Sequence, residues 1–425
     1  MDQENNRLLA VLLAWIEDRE TNGIKQQTDA WHIARILTIG GSSMATIQGI
    51  NPYASIYDLI AERIGISKFR GDIKPQWGNL FEDIAKRYVE YDTKCTIYGE
   101  DLYVLGPIGT SYSPDGLAVI DHANINASEP GGDFSDEWTA PPKRTGSEIV
   151  LMEFKCPFSR IPAGYVPKYY IPQVKMGLDL LKIPTIGLFM EAVIRRCTWD
   201  QLGYNSSYDR TLVPKSSGVN PLAYGIIGFY ISRAVLEIHR SKSKIPDEFL
   251  TKYTEHYVEY GNASNEYMCN DLGEAPVDLF TLIMASMDRR LVQIRYYPMY
   301  HANKLDQVQQ ALVEASNAER IDADLAAHTE FCRIDDHINI GILPWKLFRA
   351  DYHYVTRENG YLDKWYPLIT EIVSVIRICN EAVPELRYEI IMNFIESLKK
   401  KNSDSIGKAA YRAKSQPPTG FSDGL

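Results

Sequence analysis

The sequence predicts an α/β fold: a central mixed β-sheet flanked by helices, followed by a mainly helical C-terminal extension. Three observations predict it. Residues 8–91 carry helical spacing with capping residues, and the stretch after residue 95 changes to short runs rich in Val, Ile, Phe and Tyr bounded by Gly, Pro or Asp. Beyond residue 240 the helical spacing returns. At 425 residues and 45% hydrophobic, the chain is long enough for a full core and more than one packed unit.

The run "LLAVLLAWIEDRE" (8–20) is an amphipathic helix. It is interrupted by charge, and no apolar run in the chain reaches the length of a membrane span. No basic region precedes it and no small-residue cleavage site follows, so the expectation is a soluble, intracellular protein without membrane contact, its compartment left open between nucleus and cytoplasm. Six cysteines without a C-x-x-C pair argue against a zinc site and leave reduced thiols as the default.

Gly40-Gly41-Ser42-Ser43 reads as a loop entering a helix with a serine as N-cap, and Ser55 with Asp58 reads as a capping box for the next helix. "KPQWGNLFEDIAKRYVEY" (74–91) is a third helix with Leu80, Ile84, Tyr88 and Tyr91 on one stripe. Strands follow in "IYGEDLYVLG", "GLAVID", "EIVLMEFK", "TIGLFMEAVI" and "AYGIIGFYISR". Between the third and fourth lies "YVPKYYIPQVKMGLDLLK", helical after its prolines through Leu181. Helices are expected in 275–294, 305–331 and 365–400, with "GILPWKLFRADYHYV" (341–355) as a Pro- and aromatic-rich connection.

The segment 121–147 holds five acidic and two basic residues among Gly, Pro and Ser, and reads as a long solvated insertion. The expected organisation is a core over 1–240 containing that insertion, a mainly helical region over 241–398, and a basic, disordered tail over 399–425. The net charge of −10 describes the far field only, since a phosphate-binding cleft needs just a local cluster of Lys and Arg.

The chemistry concentrates in "LMEFKCPF" (151–158), where Glu153 and Lys155 share one face of an apolar strand and Phe154 is turned away. Asp115, in "SPDG", begins the preceding strand, and a hairpin between the two strands carries it to that same face. A lone E-x-K is ordinarily a cross-strand ion pair, and "SPDG" alone is a good turn. Together they suit a hard divalent cation, held by Asp115, Glu153 and the Phe154 carbonyl. Lys155 would orient or deprotonate a bound water, its pKa depressed by desolvation.

"SPDG", "EFKCPF" and "YIPQVKMGL" together resemble the lambda-exonuclease-type branch of the PD-(D/E)xK nucleases, which includes YqaJ-like viral recombinases and viral alkaline exonucleases. Upstream, "DAWHIARILTIGGSS" (29–43) and "WGNLFE" (77–82) resemble that branch's N-terminal motif and its W-G-x-x-x-E helix. The five motifs keep the family's order over residues 29–235, and the long C-terminal half looks more like the versions encoded by large DNA viruses.

The resemblance implies a restriction-endonuclease-like core and a Mg²⁺-dependent 5′→3′ exonuclease acting on ends of linear double-stranded DNA. It would release 5′-mononucleotides and leave 3′ single-stranded tails for recombination or repair. Asp115, Glu153 and the Phe154 carbonyl would hold Mg²⁺, with Mn²⁺ as a substitute; Glu82 would help with a second ion. Tyr170 and Gln173 would line the site. Arg35 and Ser42 would receive the 5′-phosphate, with Trp31 and His32 as packing that fixes this loop. A single-strand annealing partner is implied, and the number of subunits stays open. The alternatives are an endonuclease on DNA or RNA using the same site, and a non-catalytic DNA-end-binding scaffold.

Overall fold

The computed structural model describes residues 3–26, 28–66, 73–125, 144–196, 222–232, 293–296, 300–301 and 337–401. In chain order the elements are α1 (Gln3–Asn22), β1 (Ile24–Lys25), α2 (Asp29–Ile36), β2 (Ile39–Gly40), a 3-10 turn (Gly41–Ser43), α3 (Met44–Ile47), α4 (Ile56–Arg63) and α5 (Ile73–Thr93). Then come β3 (Leu102–Leu105), β4 (Thr110–Tyr112), β5 (Gly116–Asp121), β6 (Ser147–Lys155), α6 (Ile171–Leu181) and β7 (Ile186–Arg196). The rest are β8 (Ala223–Ser232), β9 (Gln293–Tyr296), β10 (Tyr300–His301), β11 (His337–Thr356), α7 (Tyr366–Glu381) and α8 (Pro384–Lys401).

A mixed seven-stranded sheet runs in the order β10-β8-β11-β7-β6-β5, with β9 also paired to β8. The strands β5 and β6 form the expected antiparallel hairpin, Gly116 opposite Met152 and Asp121 opposite Ser147. From β6 the chain passes through α6 and returns as β7, parallel to β6, with Lys155 opposite Glu191. Period-two alternation sorts each strand onto two cores. Val150, Met152 and Phe154 of β6 join α5 residues Trp77, Phe81 and Ile84 on one face. Ile149 and Leu151 join Leu12, Ile60, Val174 and Ile369, from α1, α4, α6 and α7, on the other.

A four-stranded sheet in the order β1-β3-β4-β2 lies beside the large one in sequence and leads into it. Its β2 runs parallel to β4, with Gly40 opposite Ser111, so the glycine-serine turn is tied to the segment that runs on to Asp115.

The largest difference from expectation is 341–355, which is no connection: it lies within β11, between β7 and β8. Pro344 pairs with Ile226 of β8, and the described ladder to β7 begins one residue later, at Trp345 opposite Arg196. A proline lacks the N–H for a ladder bond, and among the described residues β8 is the neighbour of the strand at that point. The sheet therefore takes three of its described strands, β9, β10 and β11, from beyond residue 240. Two smaller differences are local. Neither Ser42 nor Ser43 caps with its side chain, since the helix that follows them is a single turn, and Tyr91 is 38% exposed rather than part of the buried stripe of α5.

The capping box of Ser55 and Asp58 is formed. Of the expected helix at 275–294, the last two residues begin β9. Its remainder, the run 305–331, most of the acidic insertion (126–143) and the tail beyond 401 lie outside the described residues. Among the described residues no helix is long and apolar enough to cross a membrane.

Candidate active site

The paired ends of β5 and β6 bring Asp115, Glu153 and Lys155 together. An Oδ of Asp115 accepts the backbone N–H of Phe154 at 2.9 Å, which ties the turn before β5 to the middle of the E-x-K motif. Glu153 is fully buried and receives two donors, the Lys155 ammonium and the Tyr112 hydroxyl, the latter at 3.2 Å. Phe154 points into the opposite core with α5, as the alternation demands.

Glu82 approaches from α5, where Lys86 one turn later pairs with it at 3.0 Å and with Glu100 at 3.2 Å. The i,i+4 pair expected of an ordinary helix surface is therefore present. Yet the Glu82 carboxyl is pushed up, by burial first and by the charge of Asp115 second, so its electrostatic neighbour is the strand-end cluster.

Each carboxylate of this cluster is shifted toward protonation. Burial and then Glu153 raise Asp115 to about 6. Burial raises Glu153 against the opposing pull of Lys155. Loss of hydration disfavours the charged form, and like charges compound it. For Lys155 the outcome reverses the sequence-based expectation. Burial alone would lower its pKa, but Glu153 and Asp115 outweigh burial and raise it, so the side chain is held as an ammonium.

Among the described residues no three His, Cys, Asp or Glu side chains stand close enough to hold a metal ion by themselves. A magnesium ion does not require such a cage, as one or two carboxylates suffice when waters and substrate phosphate complete its octahedron. The donor set at Asp115 and Glu153 is all oxygen and over-acidic, which fits a hard divalent cation.

Tyr170, at the start of α6, has its ring centroid 5.4 Å from the Lys155 ammonium. Gln173, one turn on, is half-buried and faces the glycine-serine turn; a Cβ on Gly41 would stand 3.3 Å from its Cγ. The same Cβ would stand 2.6 Å from the Tyr112 ring, and one on Gly177 of α6 would stand 2.4 Å from it. Two glycines thus close on opposite elements around Tyr112, the residue whose hydroxyl reaches Glu153. Sequence reasoning passed over Tyr112, although it stands three residues before Asp115.

Arg35 lies on α2 with its guanidinium 4.5 Å over the Trp31 ring, and Trp31 is buried against Tyr103. His32 meets Trp31 edge-on but is itself exposed, so of the two only Trp31 is core packing. Ser42 is exposed on the turn. The single-turn α3 behind it supplies little of the anion attraction that a full helix N-terminus would. A second guanidinium, Arg63 at the end of α4, was also missed. Its Nε is buried without a hydrogen-bond partner among the described residues, and its pKa is lowered by burial first, with the positive charge of Arg35 contributing.

Residues 30–179 match the family model of the YqaJ-like viral recombinase domain. Two isolates of African swine fever virus, both from ticks, carry relatives of this chain. They are 28% and 29% identical over 325 residues, spanning 72% of this chain and 91% of the relative. Among solved structures, the alkaline exonuclease LHK-Exo of Laribacter hongkongensis is 20% identical with a TM-score of 0.27, covering 39% of this chain and 73% of that one. Its complex with dAMP gives 19% identity and the same TM-score, with 39% and 74% coverage. The span that matches the YqaJ-like viral recombinase domain contains the glycine-serine turn, the α5 glutamate, Asp115, the E-x-K strand and most of α6.

Proposed function

We propose that this chain is a divalent-metal-dependent deoxyribonuclease, a 5′→3′ exonuclease that degrades linear double-stranded DNA to 5′-mononucleotides and leaves 3′ single-stranded tails. The observation that carries the reading is the convergence of Asp115, Glu153 and Lys155, fixed by the bond from the Phe154 amide to Asp115. The similarity of residues 30–179 to the YqaJ-like viral recombinase domain supports it.

In this reading Asp115, Glu153 and the Phe154 carbonyl would hold Mg²⁺, and Glu82 would help hold a second ion or its waters. When bound, the metal supplies charge neutralisation at the phosphate and a more acidic water. Lys155, kept charged, orients the attacking water and the non-bridging phosphate oxygen rather than removing a proton. Tyr112 holds the Glu153 carboxylate in its rotamer. Gln173 and Tyr170 line the approach to the scissile phosphate. The water oxygen adds to phosphorus as the P–O3′ bond breaks, which leaves a 3′-hydroxyl on the released nucleotide and a new 5′-phosphate on the strand. Arg35 and Ser42 receive that 5′-phosphate, a guanidinium being the planar donor best matched to it. A single-strand annealing protein would take the 3′ tail.

The test is an internally labelled linear duplex with or without a 5′-phosphate, incubated with Mg²⁺ and either wild type or Lys155→Ala. Mononucleotides from the wild type alone, produced faster with the phosphate, are expected. Mixed-length fragments insensitive to the phosphate would establish an endonuclease instead. End binding without hydrolysis by either protein would establish a scaffold.

A further inference from the structure

Three tyrosines form a chain of ring contacts that leads from solvent to the candidate active site. Tyr53, between α3 and α4, is 78% exposed, the most exposed of the large apolar side chains among the described residues. Its ring meets Tyr169 edge-on at 5.7 Å, Tyr169 lies 4.5 Å from Tyr170, and Tyr170 lies 5.4 Å from the Lys155 ammonium. Packing explains the inner end, where Tyr170 rests on Phe189 of β7 at 5.4 Å. It does not explain Tyr53, which buries little surface and so gains little from the hydrophobic effect.

The position of Tyr53 is nonetheless fixed. Its backbone N–H bonds the Asn51 side chain at 2.9 Å, Asn51 in turn donates to Thr46 at 2.8 Å, and its ring rests edge-on against Tyr169. An exposed aromatic held in one orientation presents its faces to a ligand at small entropic cost. The cations nearby set the ligand's chemistry. Besides Lys155, the Arg160 guanidinium lies 6.0 Å over the Tyr170 ring while paired with buried Glu191. Rings interleaved with cations are the arrangement that binds single-stranded nucleic acid, bases on the rings and phosphates on the cations.

We propose that Tyr53, Tyr169 and Tyr170 form a stacking platform for unpaired nucleobases of the strand at the active site, independent of base sequence. The proposal rests on the nuclease reading for the identity of that strand, and binding can be measured without hydrolysis. The full chain would be titrated in EDTA against a fluorescein-labelled single-stranded oligonucleotide, and against the same oligonucleotide carrying abasic nucleotides.

Tyr53→Ala should weaken binding of the base-bearing strand by about 5- to 100-fold, the range that loss of one stacked base gives. Tyr53→Phe should bind as the wild type does. The abasic strand should bind wild type and Tyr53→Ala alike, which separates stacking from a general loss of charge or fold. Equal affinity of wild type and Tyr53→Ala for the base-bearing strand would overturn the platform, as would failure of the wild type to bind it. Base-dependent binding without Mg²⁺-dependent hydrolysis would instead retain the platform and overturn the nuclease reading.

Discussion

The two ends of the β5–β6 hairpin each carry acid, half-buried at one and fully buried at the other, and they treat it in opposite ways. At the far end Glu148 accepts from the Thr185 hydroxyl, from Arg144 at 3.0 Å and from His122 at 3.2 Å, while the other ring nitrogen of His122 meets the Tyr354 hydroxyl at 2.5 Å. Burial would raise Glu148, but these partners outweigh it and hold its pKa low, and burial keeps His122 below its usual value. At the near end three carboxylates, Asp115, Glu153 and Glu82, share two lysines, and all three are raised. One hairpin therefore ends in a satisfied ion cluster and in an over-acidic one. The satisfied cluster contributes to stability, whereas the other opposes it, as the proposed binding of a cation and a phosphate there would require.

The strongest way to break this contrast is catalytic. Glu153→Gln should lower single-turnover hydrolysis of a linear duplex on the order of 10³-fold, the scale of losing a group that stabilises transition-state charge. Glu148→Gln should leave that rate within about twofold. Comparable losses from both would erase the functional difference between the ends.

Stability should show the opposite ordering when measured by urea unfolding without divalent cations. Asp115 has its folded pKa near 6 against an ordinary 3.8, so its ionised form opposes folding. The penalty is full above about pH 6 and disappears as pH falls below the ordinary value. Asp115→Asn should stabilise the protein at pH 7 by up to about 3 kcal/mol, with the gain fading toward pH 4. Glu148 is the reverse. Its lowered pKa contributes stability above its ordinary value of 4.5 that is lost as pH falls through the folded value. Glu148→Gln should cost about 1–2 kcal/mol at pH 7 and less at pH 4.

A smaller effect tests the support for Glu153. Gly177→Ala adds a Cβ against both the Tyr112 ring and Leu151. Helix propensity gains about 1 kcal/mol, but overpacking costs about 1–3 kcal/mol, so thermal unfolding should come at lower temperature and hydrolysis should fall with the displaced Tyr112 hydroxyl. Smallest of all, Arg63→Met should leave hydrolysis of unphosphorylated ends unchanged while reducing the preference for a 5′-phosphate by about 10-fold.

The contrast also marks what the sequence reveals. Asp115, Glu153 and Lys155 are legible because a turn and a two-residue alternation bring them together from within one hairpin. The limits of β5 and α6 follow from composition and breakers in the same local way. Tyr112 and Arg63 are not legible, since their meaning lies in the glycines of α6 and the 3-10 turn, or in an arginine on another helix. Long-range pairing hides β11 as well. Pro344 argues against a strand until its pairing with Ile226 of β8 is known. The ionisation of Lys155 is hidden because desolvation and two nearby carboxylates act in opposite directions, and only geometry decides between them.

The position of β11 bears on how the protein can be dissected. Its first half zips to β8 and its second half to β7, so it is the seam that joins the E-x-K side of the sheet to the β8 side. The matched span, residues 30–179, ends before either half of that seam is made. A fragment stopping at residue 240 would keep Asp115, Glu153 and Lys155 but leave β7 with an open row of N–H and C=O groups along an apolar strand. Such an edge recruits other chains. Insolubility of that fragment would then report a missing strand rather than a defective active site.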